Sequence, residues 1–205
     1  SGDGLLTQLL KANPKNKACV MTFVGHGKGK DGGTEDGESY ALNTQTKVPY
    51  RWQSLEEGQD KAEYVPVLYT DGTGTNYCTP LYRAAQLFKD DRVFNDGNKK
   101  VLIFITDGEP HQSVSWYDGE NTVTISTNRD ARARHNREAY SYLKEEVRKD
   151  QVGDLDFHSI AIKIKPDNLG YLEDLTKAAG GKLHLADDAK GPVSYTHLRA
   201  HETPE

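Results

Sequence analysis

Lys99-Lys-Val-Leu-Ile-Phe-Ile-Thr-Asp-Gly-Glu-Pro110 is the stretch on which the fold turns. Val101 to Ile105 are continuously apolar, bounded by lysines on one side and by Thr106-Asp107-Gly108 on the other. That pattern predicts a central parallel strand covered on both faces. Just upstream, Leu81, Ala84, Ala85 and Phe88 recur at i, i+3, i+4 and i+7, one face of a helix. The glycine-rich loop Thr70-Asp-Gly-Thr-Gly-Thr-Asn-Tyr77 precedes that helix, and the run Val65-Pro-Val-Leu-Tyr69 precedes the loop. Downstream, Ala139, Leu143 and Val147 mark a second amphipathic helix, and Ile160, Ile162 and Ile164 alternate as a strand should. Leu169, Leu172, Leu175 and Ala179 line a last helix, which Gly180-Gly181 stops, and Lys182 to Leu185 makes a short final strand.

Before the glycine-rich loop the text is less regular. Leu5, Leu6, Leu9 and Leu10 form a helical stripe that ends at Asn13-Pro14, and Cys19 to Val24 reads as a buried strand. Gly25 to about Glu63 is polar and glycine-rich, with edge-strand material around Thr46 to Trp52. A stretch that long is either a functional insertion or a partly ordered hairpin. The alternation as a whole predicts an α/β fold, an open and mostly parallel sheet flanked by helices.

Composition narrows the function. The 205 residues are 35% hydrophobic and 28% charged, which suits one globular domain. A net charge of -5 argues against a phosphate-binding nucleic-acid surface. No apolar run approaches the roughly 20 residues of a membrane span. Cys19 and Cys78 match neither a metal spacing nor a disulfide framework and read as two free thiols. No signal peptide is visible, but the chain begins at Ser1 and its single methionine is Met21, so the expected true start lies upstream. Val193-Ser-Tyr-Thr-His-Leu-Arg-Ala-His-Glu-Thr203 resembles a translated sequencing-library adapter. Residues 192–205 are therefore expected to be a non-native tail, and the domain to occupy residues 1–191. The His197 and His201 pair in that tail is accordingly given no metal role.

Asp107 is the sharpest chemical signal, because ligands of open parallel sheets bind beyond the carboxyl ends of the strands. As local chemistry, Asp107-Gly108 also suits a tight turn. The glycines of Gly72-Thr-Gly-Thr75 let the backbone approach closely, and a threonine there can present its hydroxyl to a cation. Gly25-His-Gly-Lys-Gly-Lys-Asp-Gly-Gly33 lacks the spacing of a phosphate-binding loop and reads as a surface loop. No nucleophile elbow or paired-carboxylate arrangement stands out, so an enzyme is not expected.

Taken together, Gly74-Thr-Asn-Tyr77, Thr106-Asp-Gly-Glu109 and Leu172 through Gly181 resemble, in order and spacing, the von Willebrand factor A family. The resemblance runs from Leu5 to about Asp188. It implies a Rossmann-like sheet of order 3-2-1-4-5-6 and a metal-ion-dependent adhesion site built from three loops. The third loop's aspartate maps onto Asp107 and the second loop's threonine onto Thr75. Thr79, in Thr79-Pro-Leu-Tyr82, is the alternative, and read locally it is a helix N-cap with Pro80 at the first helical position. The first loop's D-x-S-x-S is absent from this chain, so the chain is expected to lack the first central strand and that strand's metal ligands. In the complete domain the resemblance implies Mg²⁺ (or Mn²⁺ or Ca²⁺), completed by a carboxylate from a protein ligand. The implied function is a metal-dependent binding module of the adhesion or surface-protein type, at the cell surface or secreted. The alternative is an intracellular scaffold partnering an ATPase or a metal-insertion complex.

Overall fold

The computed structural model describes residues 5–13, 15–21, 23, 42–43, 48–49, 52, 54, 75–111, 115–117, 120–122 and 128–186. The run Val65–Tyr69, most of the Gly25–Glu63 stretch and the tail from Val193 lie outside them. In chain order the elements are α1 (Leu5–Ala12), β1 (Leu42–Asn43), β2 (Val48–Pro49), α2 (Cys78–Phe88), β3 (Lys100–Thr106), β4 (Ser115–Tyr117), β5 (Glu120–Thr122), α3 (Arg129–Val147), β6 (Leu155–Ile162), a 3₁₀ turn (Pro166–Asn168), α4 (Gly170–Ala179) and β7 (Lys182–Ala186). Strands β3, β6 and β7 form an open, all-parallel sheet in the order β3-β6-β7, so the fold is α/β. Two antiparallel pairs, β1 with β2 and β4 with β5, stand outside it.

The chain divides into two compact units, Ser1–Val101 with Pro110–Asp156, and Leu102–Glu109 with Phe157–Glu205. In the first, α2 packs on α3. The expected stripe of α2, Leu81, Ala84, Ala85 and Phe88, is buried, as are Ala139, Leu143 and Val147 of α3. The Tyr82 and Tyr142 rings meet edge to face at 5.4 Å, and the Trp52 indole donates to the Leu87 carbonyl at 2.9 Å while lying beside Phe88. Helix α3 starts where Asn128 stays extended and its carboxamide oxygen accepts from the amides of Asp130 and Ala131.

In the second unit, β6 pairs with β7 in parallel, with His158 opposite Lys182 and Ile160 opposite His184. Helix α4 buries Leu172 and Leu175 and ends at Gly180, whose φ of 66° is the left-handed stop that Gly180-Gly181 implies.

Two expectations change. The apolar strand β3 is not covered on both faces: it lies at one edge of the described strands, the position expected of it where a central neighbour is lacking, with Val101 and Ile105 43% and 42% exposed. The middle position belongs to β6, where Phe157 to Ala161 are all buried. Ser159 fits there because it shares a 2.7 Å hydrogen bond with the Thr176 hydroxyl, which donates to the Leu172 carbonyl. Second, Cys19, Val20 and Met21 do not form a strand, and Ala18 alone makes an isolated bridge. An apolar run becomes a strand only where a neighbour completes its ladder, and none among the described residues does so here.

Candidate functional site

Strand β3 delivers Thr106 to its carboxyl end and Asp107 just beyond it. Thr106 is buried, and its hydroxyl donates to the Gly108 carbonyl at 3.1 Å. That bond curls the chain immediately after the strand and leaves Asp107 exposed. The tight-turn chemistry of Thr106-Asp-Gly and the presentation of a carboxylate are thus one feature. Pro110, two residues on from Gly108, is buried, and its carbonyl accepts from the Arg132 guanidinium of α3 at 2.7 Å.

The other candidate loop enters α2. Thr75 is half-buried, and its carbonyl accepts from the His111 amide at 2.9 Å, which ties this loop to the segment leaving β3. Asn76 is buried and its side-chain oxygen accepts from the Cys78 amide at 2.9 Å. This bond satisfies a free amide of the first turn; the helix begins at Cys78 with Tyr77 as its N-cap, so Thr79 lies inside α2 and is not its N-cap. Cys78 is fully buried and its thiol donates to the Asn136 side-chain oxygen at 3.3 Å. Cys19 and Cys78 are thiols and not a disulfide pair, as the sequence reading has them.

Thr75 and Thr79 belong to the first unit and Asp107 to the second, so the sequence-derived site residues do not fall within one compact unit. Mg²⁺ takes six oxygens in near-octahedral geometry. A threonine hydroxyl and one carboxylate are too few protein donors to fit a resident ion. Among the described residues no group of three or more His, Cys, Asp or Glu could hold one. None of the helices among these residues is long and apolar enough to cross a membrane.

What the sequence reading missed is the polar cluster at the opposite end of β3. The Lys100 side chain is 4% exposed, and its ammonium meets Asp96 at 2.7 Å and Asp150 at 3.4 Å. Asn95-Asp96-Gly97-Asn98 was the available signal, a turn-forming string between a helix and a strand. Among known proteins, no family model matches the chain and no curated protein matches it.

Proposed function

We propose that this chain is a protein-ligand binding module of the von Willebrand factor A type, of the adhesion or surface-protein kind, and not an enzyme. The observation that carries the reading is Thr106-Asp-Gly-Glu109 at the carboxyl end of a parallel-sheet strand, with Asp107 turned out to solvent. The position of Gly74-Thr-Asn-Tyr77 directly before α2 supports it further. A carboxylate on a rigid strand end suits recognition, either of a cation or of a basic partner group. The family's metal site needs more oxygen donors than Thr75 and Asp107 supply.

The test is calorimetric. The chain should bind Mg²⁺ weakly if at all. The same chain carrying an added strand with D-x-S-x-S should bind Mg²⁺ and, with it, a carboxylate-bearing protein ligand. Asp107→Ala in that extended chain should fold and lose both. No gain of Mg²⁺ binding on adding the strand would overturn the reading.

A further inference from the structure

The Lys100 ammonium is held as a bound ion would be. Its Nζ lies 2.7 Å from the Val93 carbonyl, 2.7 Å from the Asp96 carboxylate, 3.0 Å from the Asn98 carbonyl and 3.4 Å from Asp150. Two carbonyls and two carboxylates, drawn from the loop before β3 and the loop after α3, form an all-oxygen shell. This is the donor class that hard cations take.

The shell is built independently of the lysine. Asp96 accepts from the Asn98 amide at 2.9 Å and from the Asn98 side chain at 2.9 Å. Asp150 accepts from the amides of Asn95 at 2.7 Å and Val152 at 3.0 Å, and Asn95 in turn accepts from the Gln151 amide at 2.8 Å. Asn95 holds a left-handed φ of 57° to make these bonds. Lys17 reaches the other oxygen of Asp96 at 3.2 Å, so two lysines face two aspartates and the cluster is neutral.

We infer that the oxygens of Val93, Asp96, Asn98 and Asp150 constitute a monovalent-cation site whose resident is the tethered ammonium of Lys100. The chain thereby carries its own structural cation and needs none from solution. Removing Lys100 leaves a hole one positive charge short, because Lys17 continues to balance one aspartate. K⁺ and NH₄⁺ match that charge and the ammonium's size, whereas tetramethylammonium is too large to enter.

The experiment melts the full chain and two variants in chlorides of K⁺, NH₄⁺ and tetramethylammonium at equal ionic strength. Lys100→Ala opens the shell, while Lys100→Met keeps a side chain in it without the charge. The Lys100→Ala chain should melt about 2–4 °C higher in K⁺ and NH₄⁺ than in tetramethylammonium, saturating with concentration. The native chain and Lys100→Met should show no such difference. Should Lys100→Ala be unfolded in tetramethylammonium, folding on exchange into K⁺ or NH₄⁺ supports the site. Equal melting in all three salts, failure to fold in any of them, or an equal shift in the native chain or Lys100→Met overturns it.

Discussion

A β-carbon placed on Gly181 would lie 2.3 Å from the Phe157 carbonyl oxygen, a backbone atom of β6 that has no rotamer with which to give way. Gly180 beside it has open space but a φ of 66°. The two neighbours are thus glycine for different reasons, one for close approach and one for a left-handed helix stop. Gly180→Ala should cost about 1 kcal/mol, the usual penalty of a β-carbon in that conformation. Gly181→Ala should cost more, because α4 or β6 must shift to admit it. Urea midpoints followed by circular dichroism rank the two, and a well-tolerated Gly181→Ala would contradict the close approach. The thiols answer to the same local logic. Burial pushes Cys19 up to about 12, with nearby Arg92 opposing and Asp90 reinforcing the shift. The thiol is therefore protonated at neutral pH, and the thiolate is the nucleophile. Iodoacetamide should label Cys19 slowly in the folded chain and at the ordinary thiol rate in urea. Fast labelling of Cys19 in the folded chain would show that its thiol is not held in this environment.

At the scale of elements, helices were more legible than strands. The stripe of α2 and the stop of α4 read directly from residue spacing, because a helix declares its buried face within its own sequence. Strands depend on neighbours that the spacing does not name. The run Val101–Ile105 has the composition of a central strand and lies at an edge of the described sheet, while β6, with His158 and Ser159 inside it, holds the middle. The deciding fact for β6 is the Thr176 hydroxyl on α4, seventeen residues away from Ser159 and invisible to a local window. The β4–β5 pair does carry a local signal, since Asp118-Gly119 between Tyr117 and Glu120 is a two-residue hairpin sequence. For the candidate site, the sequence pointed to Asp107 beyond a strand end, but which residues share its unit was not legible. The exchange of roles between β3 and β6 has a measurable consequence. Phe157 is 1% exposed and stacks with Phe104 at 6.3 Å, so Phe157→Ala should destabilise by about 3–5 kcal/mol. Val101→Ala, on a half-exposed side chain, should stay near 0.5 kcal/mol. Denaturant titration of both variants checks the ranking, and a larger loss at Val101 would return β3 to the interior.

At the scale of the whole molecule, acid stability is where the buried charges act together. Burial raises the acidities' midpoints of Asp96 and Asp150, but hydrogen bonds and the Lys100 ammonium outweigh it. For Asp96 the opposing partners are Lys100, Asn98 and Lys17, and for Asp150 they are the Val152 and Asn95 amides with Lys100. Both carboxyls therefore titrate below the ordinary aspartate value of 3.8 in the folded chain. With folded values depressed, the stability they contribute is fully present above 3.8 and drains away as the pH falls below it, where the unfolded chain takes up protons first. The two tryptophans make this readable, because Trp52 and Trp116 both belong to the unit that contains Asp96, Lys100 and Asp150. Trp52 is also anchored to α2 through its indole, so its emission should change when that unit opens. Urea midpoints by tryptophan fluorescence should fall steeply below pH 3.8 in the native chain. In Asp150→Asn the midpoint should start lower at neutral pH, since Lys100 loses a partner, yet decline less with acid. The slope should flatten by up to about 1.4 kcal/mol per pH unit, the free energy attached to one proton per decade. An unchanged slope in Asp150→Asn would mean that acid opens this unit through other carboxyls, and that Asp150 is not held in the folded chain by the contacts described.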